Sequence, residues 1–528
     1  MVRENLIDTT NGQQGIKVAD EKGATDLLTN KIKSAISNPA TSPDFDLHGG
    51  VNEVLKEVGM STADSGGKLS FYGSDPIIPS AFRFGTMAAI GLAAKSVAVA
   101  AVWRDRTGEG QDISVDVRKA LRRFAGFFDG KWETINGRPP LFLDGLNPFQ
   151  TLPMFRKTRD GRHVLALNIY PKIAAEAINF LKSGITSESV QEAIAKWDAG
   201  DLEKAGSDAG LVFAKVRTFE EFINEQQYKE VLSKMPLISV EKIGDTKPIP
   251  FRKNANAPLD GIRALGMGHV IAGAGIGRDL ALYGADVLNI WRPADTEIEG
   301  FAWDVQVGMR QTILDYSKPD LEKFDQLIKD ADVFFANKRP GYLERYGLDA
   351  ESLADKRPGL IHTRVVLHGD SGPWKDRAGF DEVGAAVSGL FAIEGTLKNP
   401  QSPPIIPIAD NVVAWLGTIG ILSALRRRAA EGGSYKVTVS LTRTVLWLLS
   451  LGIFDKNYAT ATAGSSDEHT YIDPELFTAE TPMGTYQGIT DQVVMSKTPG
   501  HFKHVLEPKG SSKPEWEKSK LNKKKLIK

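Results

Sequence analysis

The stretch GIRALGMGHVIAGAGIGRDLALYGADVLNIW, Gly261 to Trp291, decides the fold. GIRALGM is an apolar run of strand length. IGRDLALYGA has helical spacing and ends near Gly284, and DVLNIW is a second strand-length run. Strand, helix and strand in so short a span make a βαβ unit, and such units build a parallel sheet. The alternation continues downstream. LEKFDQLIKDA reads as a helix, DVFFAN as a strand and GLIHTRVVLHG as another. The expected fold class is α/β: a Rossmann-like parallel sheet domain over 256–450, with a smaller α+β domain before it.

Gly266, Gly268, Gly273, Gly275 and Gly277 cluster between the first strand and its helix. Two readings stay open. One is a tight turn with close helix–sheet packing; the other is a cradle for a nucleotide phosphate at the helix N-terminus. An NAD site would end the next strand in an acidic residue that binds the ribose hydroxyls. Here that strand ends in Trp291-Arg292, and an arginine favours a phosphorylated ribose, as in CoA or NADP.

Working outward, the chain contains a degenerate internal repeat. GTMAAIGLAAKSVAVAAVWRDRTGEGQDISVDVRKAL, from Gly85, aligns without a gap to ADNVVAWLGTIGILSALRRRAAEGGSYKVTVSLTRTVL, from Ala409. Leu92 matches Leu416, Arg104 matches Arg428, and Gly108 matches Gly432. Each copy reads as an apolar helix, a glycine turn and a short strand. Asp410 opens the second helix where Thr86 opens the first, so one copy carries an ionisable group and the other does not. Asp410 has a plain reading as a cap for free helix N–H groups. It also has a chemical one, as a carboxylate kept ionised by the helix dipole and ready to act as a nucleophile.

The remaining segments are read from composition. Residues 1–80 are polar and broken by glycine and serine, and read as short helices in an irregular arm. Residues 81–250 hold the first repeat copy and the small domain, whose opening TLPMFRKTRDGRHVLALNIY reads as two strands around Asp160-Gly161. The Pro-rich GDTKPIPFRKNANAP is a linker, and 451–528 is a C-terminal extension. The chain of 528 residues carries a net charge of −1, so no global field attracts nucleic acid. Its basic tail, KSKLNKKKLIK, reads as a solvated end. With no cysteine, disulfides, thiolate metal sites and thiol nucleophiles are excluded. The start lacks a secretory leader pattern. The apolar stretches near 85–102 and 411–425 are too short to be convincing membrane spans. These features point to a cytoplasmic protein with no membrane partner.

Several of these segments together resemble the family III CoA-transferases, the group that includes formyl-CoA transferase and α-methylacyl-CoA racemase. The resemblance is carried by the run from PLDGIRAL to NIWRP, by ADVFFANKRPGYLERYGLDAESL, by LIHTRVVLHGDSGPW and GFDEVGAAVSGL, and by PIADNVVAWLGTIGILSALRRR. WRDRTGEGQDISVD and FRKTRDGRHVLAL resemble family segments that normally follow the sheet domain, yet here they precede it. The chain therefore looks like a fused duplication whose first copy lost its nucleotide-binding portion.

The resemblance implies CoA transfer between an acyl-CoA and a free carboxylic acid, with CoA as substrate and no permanently bound cofactor. It implies Asp410 as nucleophile and Asp381 as a second site carboxylate. It implies that His269, Val270, Ile271 and Ala272 cover the adenine end of CoA, and that Arg292, Lys318 and Arg345 hold its charged groups. The lysine slot itself holds Ser317, with Lys318 one position on. It also implies a homodimer. Phe380 stands where the racemase branch has a histidine, and phenylalanine cannot move a proton. The family's glycine loop has no clear counterpart, and a site that admits water would become a thioesterase. Two rivals from other classes are an NADP-dependent oxidoreductase and a non-catalytic CoA-binding subunit.

Overall fold

A computed structural model describes residues 21–124, 126–141, 147–149, 154–315 and 317–517. The basic tail lies outside them. Seven strands form the main sheet: β1 (Ser239–Gly244), β2 (Arg263–Met267), β3 (Asp286–Trp291), β4 (Arg310–Ile313), β5 (Val333–Ala336), β6 (Ile361–Val366) and β7 (Ser434–Ser440). Their order is β4-β3-β2-β5-β6-β7-β1. All neighbours are parallel except β7 and β1, which pair antiparallel with Val437 opposite Val240. The six parallel strands have the doubly wound order that reverses between β2 and β5. The crevice beyond their carboxyl ends at that point is where such sheets bind ligands.

Five helices matter for the site: α1 (Phe84–Thr107), α2 (Ala272–Leu282), α3 (Asp381–Ser388), α4 (Asp410–Glu431) and α5 (Leu441–Ser450). α4 is apolar on nearly every face, and it is buried without interruption from Asp410 to Leu425. α1 is the one helix, among the described residues, long and apolar enough to cross a membrane, and it too is buried in the core. It runs past the 85–102 stretch at both ends. Its one mid-helix cation, Lys95, is fully buried and pairs with Asp279 at 2.7 Å and Asp491 at 3.0 Å, so its charge is compensated.

The glycine cluster serves packing. A Cβ on Gly277 would sit 2.2 Å from Met309 Sδ, one on Gly275 would meet Ala414 at 2.8 Å, and one on Gly268 would meet the Gly273 backbone at 2.6 Å. These glycines let α2 lie close on the sheet and against α4.

Both repeat copies fold alike. α1 ends at Gly108 (φ 81°) and α4 at Gly432 (φ 74°), and each glycine N–H donates to the matched arginine's carbonyl, Arg104 or Arg428. Both turns need a positive φ, which glycine adopts without steric cost, though only Gly108 is a left-handed helix cap and Gly432, with ψ −170°, is not. The strand after α1, Ile113–Asp116, pairs parallel with Leu69–Tyr72 and antiparallel with Val493–Met495. β7 pairs in the same way with β6 and β1. Among the described residues, the first copy thus keeps a three-stranded counterpart of one sheet edge and no counterpart of β2–β5.

Residues 47–72 include a short helix and a strand that pack into the body of the protein. The helix Leu47–Lys56 buries Val51, Val54 and Leu55, and Leu69–Tyr72 joins the small sheet. Their order comes from partners far along the chain, which no local pattern reveals. Phe155–Lys157, His163–Ala166 and Phe213–Lys215 form a three-stranded antiparallel sheet, and the helices of 171–208 lie between its last two strands in sequence.

Candidate active site

Asp410 is the first residue of α4, only 6% exposed. Its carboxyl does not cap the helix. The N–H groups of Ile408, Ala409 and Asp410 donate instead to Asp381 Oδ2 at 2.6, 2.5 and 3.1 Å. Asp381, at the head of α3, is fully buried. It therefore holds the backbone just before and at the helix start, while among the described residues no N–H donates to the Asp410 carboxyl. The expectation that the helix keeps Asp410 ionised is corrected accordingly. Burial, and then the charge of Asp381, push the Asp410 carboxyl well above the usual carboxylate range.

Asp410 opens into a cleft of about 320 Å³ between the sheet's carboxyl edge and the α+β body. Five cationic side chains line it: Arg292, Lys338, Arg339, Arg364 and Arg377. Asp295 is the hub at one end. Arg292 donates to Asp295 Oδ1 from Nη2 at 2.6 Å and from Nε at 2.9 Å, with Lys338 Nζ 3.6 Å and His269 Nε2 3.5 Å from Oδ2. Burial opposes ionisation of Asp295, but the Arg292 hydrogen bonds and the Lys338 charge outweigh it and hold the carboxyl at about 2. Burial lowers Lys338 to about 8, against the pull of Asp295. Burial, and then Lys338, keep His269 neutral.

The loop between β2 and α2 is fixed from both sides. His269 N–H donates to Asn337 Oδ1 at 3.0 Å, and Asn337 Nδ2 donates to the His269 carbonyl at 2.8 Å. Val270 N–H donates to Glu297 Oε2 at 2.7 Å, while Tyr170 OH donates to Glu297 Oε1 at 2.6 Å. Val270 has φ 56°, a left-handed conformation that a β-branched residue adopts only at a cost of about 1–3 kcal/mol. Tyr170 stacks on Phe380, with ring centres 6.1 Å apart.

The structure thus gathers Asp410, His269, Val270, Ala272 and Arg292 on one cleft, with Ile271 on a smaller adjoining pocket and Asp381 behind Asp410. Lys318 and Arg345 are not gathered. Both are exposed, Lys318 in the first turn of its helix and Arg345 at the end of a four-residue one, and neither lines the cleft. Sequence reasoning missed Tyr170, Glu297, Asn337, Lys338, Arg339, Arg364 and Arg377. The run Asn337-Lys338-Arg339 was within reach, because it directly follows the strand at which the sheet order reverses. Tyr170 and Arg377 reach the cleft from other parts of the chain and gave no local signal.

The model of the CoA-transferase family III matches residues 259–524. Among curated proteins, the chain is 27% identical over 344 residues to an acetyl-coenzyme A transferase, nodX, of Hypoxylon pulicicidum, covering 60% of this chain and 56% of that protein. It is 33% identical over 205 residues to a succinyl-CoA–D-citramalate CoA-transferase of Chloroflexus aurantiacus, covering 36% and 51%. A solved CAIB/BAIF family protein from Brucella suis is 26% identical, with a TM-score of 0.34 over 44% of this chain and 65% of that one. The chain spans about half the length of the curated relatives it matches.

Proposed function

This chain belongs to CoA-transferase family III, and we propose that it moves CoA between an acyl-CoA thioester and a free carboxylic acid, with Asp410 as the nucleophile. The observation that carries the reading is the Asp410 carboxyl opening, at the head of a buried helix, into a cleft walled by cations. CoA brings a polyanionic end that such walls attract and a thioester that a carboxylate can attack. In this reading the Asp410 carboxylate adds to the thioester carbonyl. The carbon–sulfur bond breaks, giving a mixed anhydride and CoA thiolate. The thiolate then attacks the aspartyl carbonyl, releasing the first carboxylate and leaving an aspartyl-CoA thioester. The acceptor carboxylate attacks that thioester to form a second anhydride, and the thiolate collects the new acyl group. Asp410 is regenerated, with no net proton and no redox change.

Asp381 is the positioning group, since its charge and its hold on the α4 start set the state of Asp410. The apolar Phe380 at the racemase branch's histidine slot supports transfer over racemisation. A homodimer in the cytoplasm belongs to the same reading, on the family resemblance. The test is chemical. The full chain incubated with acyl-CoA and then with hydroxylamine or borohydride should become modified at Asp410, as read by peptide mass. Modification elsewhere, or none, rejects the reading.

Two further outcomes follow from the cleft. Replacing Arg292 by Ala should weaken CoA binding about 10- to 100-fold, the worth of one charge-assisted phosphate contact. The exposed Arg345, replaced by Ala, should change it by no more than about twofold. Titration calorimetry on both variants checks the assignment, and equal losses would remove Arg292 from its special place.

Thr86 is the counterpart of Asp410. Its N–H donates to the buried Asp75 Oδ2 at 2.6 Å, and its hydroxyl also hydrogen-bonds that carboxyl. Thr86→Ala should cost about 1–3 kcal/mol of stability and leave the rate of Asp410 acylation intact. One CoA should bind per chain. Two equivalent sites by calorimetry would contradict a first copy without a nucleotide site.

A further inference from the structure

Asp410 stands where two cavities meet. Asp410, Val270 and Phe380 line both the cation-walled cleft and the smaller adjoining pocket, of about 20 Å³. Phe128, Ile169, Phe301, Ile406 and Pro407 wall the smaller pocket, with Glu382 as the only ionisable side chain besides Asp410 among the described residues lining it. No lysine, arginine or histidine is among them, while the cleft has five cations. Burial, and then the charge of Asp381, push the Glu382 carboxyl well above its usual range, so it faces the pocket as a neutral acid.

We propose that this pocket holds the acyl group and accepts short, uncharged acyl chains while turning away dicarboxylic ones. The inference rests on Asp410 being the nucleophile. The thioester carbonyl must then lie at Asp410, with its two sides pointing away from each other. The polyanionic CoA side needs the cations of the cleft, which leaves the pocket for the acyl side. A free carboxylate there would lose its water with no cation among the lining residues, and it would stand beside the carboxyls of Asp410 and Glu382. Such a charge is disfavoured far more than apolar walls can offset. Glu382 offers a single hydrogen-bond donor and no countercharge. The room is that of one or two water-sized groups, which suits acetyl or propionyl.

The full chain is mixed with acetyl-, propionyl- or succinyl-CoA, quenched at short times, and the Asp410 adduct is measured by mass. The second-order rate constant for acetyl or propionyl should exceed that for succinyl by at least about 100-fold. Phe128 is 52% exposed, so the fold accepts Phe128→Arg. That variant sets a cation at the pocket rim and should raise the succinyl-to-acetyl ratio by about tenfold. If succinyl-CoA acylates Asp410 as fast as acetyl-CoA in the parent, or if Phe128→Arg leaves the ratio unmoved, the pocket assignment falls while the nucleophile stands. If none of the three thioesters labels Asp410, the nucleophile itself is overturned, and the pocket assignment with it.

Discussion

Asp410→Asn is expected to lower CoA transfer by at least about three orders of magnitude, because an amide cannot form the anhydride and no other route is provided. CoA affinity should change little, since the cations of the cleft are untouched. The same variant should be more stable than the parent, and the reason fixes how its advantage depends on pH. Burial and the Asp381 charge raise the Asp410 carboxyl, so the folded chain holds this proton more tightly than the unfolded chain does. The stability contributed by that proton is present in full below the unfolded carboxylate value, about 3.9. It is lost as pH rises through the folded value. Asparagine carries no such proton, so the gap between variant and parent should widen with rising pH. Thermal unfolding of both proteins from about pH 5 to about pH 9 reads this gap directly. Transfer at near the parent rate would remove Asp410 from the mechanism. A constant difference in melting temperature would mean that Asp410 is not held protonated by its surroundings.

Much of the fold is legible in the sequence because it is written in local periodicity. GIRALGM and DVLNIW alternate with a helix of the right length, and β2, α2 and β3 form from those residues. The repeat is legible for a related reason: a glycine at a helix end, at a fixed distance from an apolar helix start, marks a turn of positive φ in both copies. What stays hidden is whatever depends on partners remote in sequence. The strand Leu69–Tyr72 has little apolar alternation of its own and is ordered by Ile113–Asp116, and through it by Val493–Met495.

The glycine cluster was legible as a turn but not in its purpose. Its neighbours Met309, Phe335 and Ala414 come from three other parts of the chain. At the candidate site, Asp410 stands out by its place in the repeat. Lys318 and Arg345 came from motif positions alone, and one residue of offset on a helix turns a side chain by about 100°, enough to face solvent instead of a ligand. The charge state of Asp410 was also beyond the sequence, because the carboxylate whose charge acts on it, Asp381, belongs to a different helix.

That placement makes Asp381 the second large-effect position. Asp381→Ala strands the three N–H groups of Ile408, Ala409 and Asp410 in a dry interior. At about 1–3 kcal/mol for each orphaned donor, the loss would be a large fraction of the stability of a typical domain. Its inactivity would show only that the helix start needs an acceptor. Asp381→Asn separates support from charge. The amide oxygen can still accept the same three N–H groups, so α4 keeps its start, but the negative charge beside Asp410 is gone. That charge, after burial, is what raises the Asp410 carboxyl, so its removal lets Asp410 ionise at lower pH. The acidic limb of kcat/KM against pH should therefore move to lower pH in Asp381→Asn, even if the plateau rate falls because a less basic carboxylate attacks more slowly. A purely structural Asp381 would lower the rate with the limb left where it was. A pH–rate series on the parent and the Asn variant, with melting temperatures to confirm that α4 is held, decides between a residue that only holds the helix and one that also sets the charge of the nucleophile.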